Sequence, residues 1–236
     1  MGVLYIYKPI GKTPLEIIES VKDYRYKKIS YAGRLDPMAH GTLLVLTDED
    51  CKRQNKYNNL NKIYKFRLLL GIETDTNDVL GMVVSNKTEI DILELRNKIH
   101  SMQGEHELPY PIFSSKRYKG KPLWYYGKYS KEKDITEYPM QRIIVNKIEI
   151  LDGYEMDRKG VWDYVKNKIN RLDKKHDFRQ KIILERWEKI KDITYKVIEI
   201  EADVGSGTYI RGLSRHISDS LNISTLCLDI YRTQIY

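Results

Sequence analysis

The chain is poor in the residues that build disulfide frameworks and metal centres. Its 236 residues hold two cysteines, Cys51 and Cys227, too far apart in sequence for a CxxC metal pair and too few for a disulfide framework. Five histidines, His40, His100, His106, His176 and His216, fall into no ligand spacing such as HExxH. No apolar run approaches the roughly 20 residues that span a bilayer. The opening "MGVLYIYKPIGKT" lacks the long apolar segment of a secretory signal. Low-complexity tracts and internal repeats are absent, which argues against disorder and solenoids. These absences point to a cytoplasmic protein, without metal or cofactor and with no membrane partner.

What is present is charge and tyrosine. Lys plus Arg exceed Asp plus Glu by 41 − 33 = 8, a balance that suits a polyanion such as nucleic acid. The 19 tyrosines offer faces on which unpaired bases stack. Hydrophobic residues make up 41 %, enough for a core in one large domain or two small ones.

The pattern along the chain predicts a mixed α+β domain. "VLYIYK" reads as a strand, and "GKTPLEIIESVKDY" as a helix begun by Thr13, Pro14 and Glu16, a capping box with proline in the first turn. "GRLDPMAHG" follows as a loop, then "TLLVLT" and "IYKFRLLLG" as strands. "IETDTNDVLG" reads as a polar turn. Ile92, Leu95, Ile99 and Met102 have helical spacing. "RIIVNKIEIL" and "YKVIEIEADV" read as strands, with Ile198, Ile200, Ala202 and Val204 on one face. Between them, residues 155–192 are expected to form an inserted helical hairpin, with Val161, Val165, Ile169 and Leu172 on one stripe and Ile183, Trp187 and Ile190 on another. "SGTYIRGLSRHISDSL" turns into a helix before a last strand, "TLCLDIYRTQIY". Residues 109–129 are basic and aromatic without clean periodicity and read as an extended loop or edge segment.

"PIGKT" ends like a phosphate loop, but that motif needs a glycine five positions before Gly11, where Ile6 stands. A strand turning into a capped helix accounts for it. The 109–129 segment interleaves Lys116, Arg117, Lys119, Lys121 and Lys128 with Tyr110, Phe113, Tyr118, Trp124, Tyr125 and Tyr126, a composition that suits RNA as well as it suits a solvated loop. Asp36, between Leu35 and Pro37, taken singly is an ordinary turn aspartate.

Four stretches change that reading by occurring together and in order: "KPIGKT", "AGRLDPMAHGTLLVL", "YKFRLLLGIETDTNDVLG" and "GSGTYIRGL". The chain resembles the TruB family, the synthases that make pseudouridine at position 55 of the tRNA T-loop. "FSSKRYKGKPLW" and "LCLDIYRTQI" are similar to further family segments. The resemblance implies a pseudouridine synthase-like catalytic domain over 1–236, with a mixed, largely antiparallel central sheet flanked by helices. It implies base flipping and covalent catalysis by Asp36, with Tyr64 stacking on the base and assisting proton transfer, and Arg211 pairing with Asp36. Tyr209 and Ile230 are implied contacts to the base, and Lys8, Lys116 and Arg117 complete the substrate-binding set. Tyr31 stands where the family carries a histidine and is expected to stack on RNA in its place. The implied partner is the tRNA T-arm stem-loop, bound by a monomer, and the family's C-terminal RNA-binding (PUA) domain is expected to be absent. A ribosomal-RNA synthase of the RsuA or RluA type, similar at "GRLD", and a non-catalytic RNA-binding module are the alternatives.

Overall fold

The capped start predicted for the first helix forms as written. In the computed structural model, which describes residues 2–22, 25–129 and 131–236, the Thr13 hydroxyl accepts from Glu16 N at 3.2 Å and Glu16 Oε2 accepts from Thr13 N at 2.8 Å. Both groups would otherwise be orphaned at the helix start. The elements run β1 (Gly2–Lys8), α1 (Pro14–Val21), β2 (Ile29–Ala32), β3 (Ala39–Thr47), α2 (Gln54–Asn58), β4 (Lys62–Leu70), β5 (Glu73–Thr74), β6 (Val83–Ser85) and α3 (Ile92–His100). There follow β7 (Gly104–Pro109), β8 (Arg117–Tyr118), β9 (Lys121–Pro122), α4 (Leu123–Lys128), β10 (Met140–Met156), α5 (Arg158–Ile169), α6 (Gln180–Trp187), β11 (Tyr195–Val204), α7 (Ile210–Leu221) and β12 (Thr225–Ile235).

Among the described residues one eight-stranded sheet has the order β1-β3-β12-β4-β11-β10-β7, with β2 also on β3. Every pairing in it is antiparallel except β3 with β12, which is parallel. That one pairing joins the start of the chain to its end, setting Ala39 beside Ile230 and Gly41 beside Arg232.

The two faces of the sheet bury different clusters, as strand alternation requires. On one face Tyr64, Phe66 and Leu68 of β4, with Ile198, Ile200, Ala202 and Val204 of β11, pack against α3 and α7. On the other face Leu69, Val197, Leu226 and Leu228 meet Val161, Val165 and Ile169 of α5 and Ile183 and Trp187 of α6. Both predicted stripes of the 155–192 segment are thus core. The segment is less basic outside than its composition suggests: Lys168 is 3 % exposed and pairs with Asp229 at 2.6 Å.

The structure contains elements that the sequence reading leaves unassigned, among them β2, α2 and β7, and β10 runs Met140–Met156, a little before and well past the predicted "RIIVNKIEIL". The alternation of β7 is blunted because it is an edge strand with much of its surface exposed. Residues 109–129 are not an extended loop. They form the β8–β9 hairpin and α4, held by a small core of Ile112, Leu123 and Tyr126 with Tyr110, Phe113 and Tyr118. The aromatics that obscured the periodicity are what packs it.

Candidate active site

Asp36 does sit in a turn. Ala39 N donates to the Asp36 carbonyl at 3.0 Å, and Gly11 N donates to the Pro37 carbonyl at 2.8 Å. Leu35 and Met38 on either side are buried and anchor the loop. Gly41, at φ +114°, passes so close to the Arg232 backbone that any Cβ there would strike the Arg232 carbonyl. The turn is therefore clamped by the end of the chain, and the Asp36 side chain, 30 % exposed, opens on a cleft.

The second residue of α7 meets it there. Arg211 is 2 % exposed, and its Nε donates to Asp36 Oδ2 at 2.7 Å. Its other nitrogens donate to the carbonyls of Thr76 at 2.9 Å and Phe113 at 3.2 Å. Asp78, also buried, lies 3.6 Å away. Burial alone would weaken the guanidinium's hold on its proton, but the Asp36 and Asp78 carboxylates outweigh it and raise its pKa. Arg211 stays cationic at any working pH. Burial pushes Asp78 up from the usual carboxylate range, against the pull of Arg211. Its Oδ1 accepts from the Thr76 hydroxyl at 2.7 Å and Leu80 N at 2.9 Å. The "IETDTNDVLG" turn thus serves to aim one carbonyl and one carboxylate at Arg211. Only Oδ2 of Asp36 is engaged by Arg211, and no hydrogen bond to Oδ1 occurs among the described residues.

Around this pair lies a cleft of about 340 Å³, within the usual range for small-molecule sites. Tyr64, Ile230 and Tyr209 line it beside Asp36, and Lys62 and Lys116 bring cations to it. Arg232, wholly buried, holds the floor: it donates to the carbonyls of Gly33 at 2.9 Å, Arg34 at 3.2 Å and Thr42 at 2.7 Å, with the Tyr64 hydroxyl at 3.4 Å. Lys62 donates to the Asn58 and Leu60 carbonyls, and burial, helped by Arg232, lowers its pKa to about 8. Burial and the nearby Asp36 raise the Tyr209 hydroxyl. Tyr110 meets Tyr209 edge-on at 6.1 Å, and Lys116 lies 4.8 Å over the Tyr110 ring. A free carboxylate oxygen, an aromatic and aliphatic wall and a cationic border suit a planar base extruded from an RNA strand.

The fold brings together Asp36, Tyr64, Arg211, Tyr209, Ile230 and Lys116. It does not bring Tyr31, Lys8 or Arg117 to the cleft. Tyr31, partly buried, packs beside Ile17, Leu43 and Val45. Lys8 is wholly buried beneath the loops, donating to the Pro9 carbonyl at 3.1 Å and the Lys12 carbonyl at 2.7 Å. Arg117 folds back onto the Gly120 carbonyl at 3.0 Å. Sequence reasoning passed over Asp78, Arg232 and Lys62. A signal existed for Arg232, which stands two residues after Ile230 on the same strand and so faces the same side. No group of three or more His, Cys, Asp or Glu able to hold a metal occurs among the described residues. No described helix is long and apolar enough to cross a membrane.

The profile described as "TruB family pseudouridylate synthase (N terminal domain)" matches residues 22–167. The chain belongs to the TruB family. Over 236 residues it is 27 % identical to tRNA pseudouridine synthase B of Thermotoga maritima, covering 99 % of this chain and 62 % of that protein. It is 33 % identical over 152 residues to the enzyme of the same name from Caldicellulosiruptor saccharolyticus, covering 64 % of this chain and 52 % of the relative. The chain thus spans between half and two thirds of the length of these relatives. Among solved structures, a crystal structure of a Cbf5-Nop10-Gar1 complex aligns with 99 % of this chain and 48 % of its own, at a TM-score of 0.60 and 17 % identity. That likeness supports the α+β fold. Within the family match lie Asp36, Tyr64 and Asp78; Arg211 and Ile230 come from the chain beyond it.

Proposed function

We propose that this chain isomerises a uridine in the T-loop of tRNA to pseudouridine, a reading supported by its similarity to relatives named tRNA pseudouridine synthase B. The observation that carries the reading is the Asp36–Arg211 pair, with Asp36 Oδ2 bound at 2.7 Å and the side chain opening on a cleft walled by Tyr64 and Ile230. A carboxylate oriented through one oxygen and free at the other is a competent nucleophile. Asp36 forms an adduct with the flipped nucleotide, at the base or at the sugar. The N1–C1′ bond breaks, the uracil turns between Tyr64 and Ile230, and a C5–C1′ bond forms. C5 loses its proton, N1 gains one, and Asp36 is released, so the reaction balances as an isomerisation. Tyr64 and Tyr209 hold the ring plane and exclude water, and the Tyr64 hydroxyl assists the proton at C5.

The chain acts as a single catalytic domain, as a monomer in the cytoplasm, on the T-arm stem-loop, without a metal. Lys116 and the aromatic unit of residues 109–129 take the RNA backbone and its unstacked bases. The test is incubation with a T-arm stem-loop and, separately, a ribosomal-RNA hairpin, before and after exhaustive chelation, followed by mapping of pseudouridine. Conversion of the T-arm at its T-loop uridine, unchanged by chelation, is expected. Conversion of the ribosomal hairpin alone would overturn the substrate, and conversion of neither would overturn the activity.

A further inference from the structure

We propose that Arg179, in the turn between α5 and α6, is a positioning residue for the Asp36–Arg211 pair; the proposal rests on the isomerase reading above. Arg211 owes its place to two backbone carbonyls, those of Thr76 and Phe113. Arg179 grips both hosts from behind. Its Nη1 donates to Asp75 Oδ2 at 2.7 Å and its Nη2 to Asp75 Oδ1 at 3.3 Å, and Asp75 immediately precedes Thr76. The same guanidinium lies 4.5 Å over the ring of Phe113. One planar cation thus braces the two segments, far apart in sequence, that present carbonyls to Arg211.

The surroundings fit that task. Asp75 Oδ1 also accepts from Met82 N at 2.8 Å, so its carboxylate closes the turn that holds Thr76 and Asp78. Trp187 of α6 donates to the Gly81 carbonyl at 3.0 Å in the same turn. On the other side, Asp177 accepts from Arg179 N at 3.1 Å and from Lys128 Nζ at 2.8 Å, tying α4 to the same corner. Arg179 has φ +66°, a left-handed conformation that a residue with a Cβ adopts only at a cost. With its side chain 14 % exposed, it faces its two partners more than it faces solvent. Its arrangement is a fork on a carboxylate and a plane on a ring, which lysine cannot reproduce.

The test uses the full chain and a T-arm stem-loop under single-turnover conditions at saturating enzyme. In this assay the amplitude reports the folded fraction and the rate constant reports positioning. Arg179→Gln is expected to slow conversion by about tenfold to a hundredfold, the cost of a small misplacement of reacting groups, with amplitude and RNA affinity unchanged. Arg179→Lys should restore part of the rate. If Arg179→Gln does not fold, Asp75→Asn, nearly isosteric, is expected to give the same loss. A rate within about threefold of wild type, a fall in amplitude alone, or a loss of affinity with the rate kept would each overturn the proposal. An independent readout is exchange of the Arg211 Nε–H in the RNA-free protein by ¹⁵N spectroscopy. It should quicken in Arg179→Gln, and unchanged exchange would count against positioning. If wild type makes no pseudouridine, the isomerase reading fails, and this exchange measurement alone still decides whether Arg179 braces Arg211.

Discussion

Asp36 is both a turn residue and a candidate nucleophile, and one substitution separates the roles. Asparagine suits the same turn but cannot form and release the acyl-type adduct a carboxylate can. Asp36→Asn is expected to keep the fold and RNA affinity while single-turnover conversion falls below detection. Conversion within about tenfold of wild type, far less than a lost nucleophile costs, would reduce Asp36 to a turn former. Lys8 is a residue-scale case of the opposite kind. It belongs to the substrate-binding set that the family resemblance implies, yet it is wholly buried, and burial lowers its pKa to about 7, with Asp36 opposing the shift. Its pKa in the unfolded chain is the ordinary 10.5, so between pH 7 and 10 the unfolded state binds the extra proton and stability should rise with pH. The slope from this one group is at most about 1.4 kcal/mol per pH unit. Urea unfolding across that range should show a flatter rise in Lys8→Met than in wild type, whereas parallel curves would place the titration elsewhere.

At the scale of elements, the helices α5 and α6 serve the site from behind the sheet. Their apolar stripes complete a core with Leu69, Val197 and Leu226, and Trp187 reaches the turn that carries Asp78. Trp187 is wholly buried, so Trp187→Ala should cost about 3–5 kcal/mol from lost burial and the cavity left behind. Denaturant midpoints measure this, and a loss under about 1 kcal/mol would mean that the helices are loosely attached. This is why replacing residues 155–192 by a short loop, a natural step for an inserted decoration, is expected to unfold the sheet face beneath rather than only to weaken RNA binding.

The whole molecule carries a formal net charge of +8, and its cleft border holds the exposed Lys116 and Arg34. Contacts from such groups to phosphates release counterions, so affinity falls steeply as salt rises. T-arm binding should weaken by at least about tenfold between low and moderate salt, measured by equilibrium titration at each ionic strength. A flat response would mean that the charge is not used for RNA.

The order of the main strands and helices, the capped start of α1, the buried face of β11 and the two stripes of α5 and α6 were legible in the residues themselves, because periodicity and capping act over a few positions. The four motifs likewise marked Asp36, Tyr64 and Arg211 before any of them was placed. Tertiary structure alone decided which side chains meet. Asp36 and Arg211 are 175 positions apart, and only the parallel pairing of β3 with β12 and the packing of α7 bring them to one cleft. It also left Tyr31, Lys8 and Arg117 outside the cleft. Tyr31, partly buried, packs against Ile17, Leu43 and Val45, two carbonyls enclose Lys8, and Arg117 stays exposed with one nitrogen on the Gly120 carbonyl. The segment around Tyr126 hid its helix because its aromatics pack against one another over short range instead of marking one periodic face. Residue type proposes a chemistry; the direction in which the fold points the side chain, and what it buries beside it, decide whether that chemistry is available.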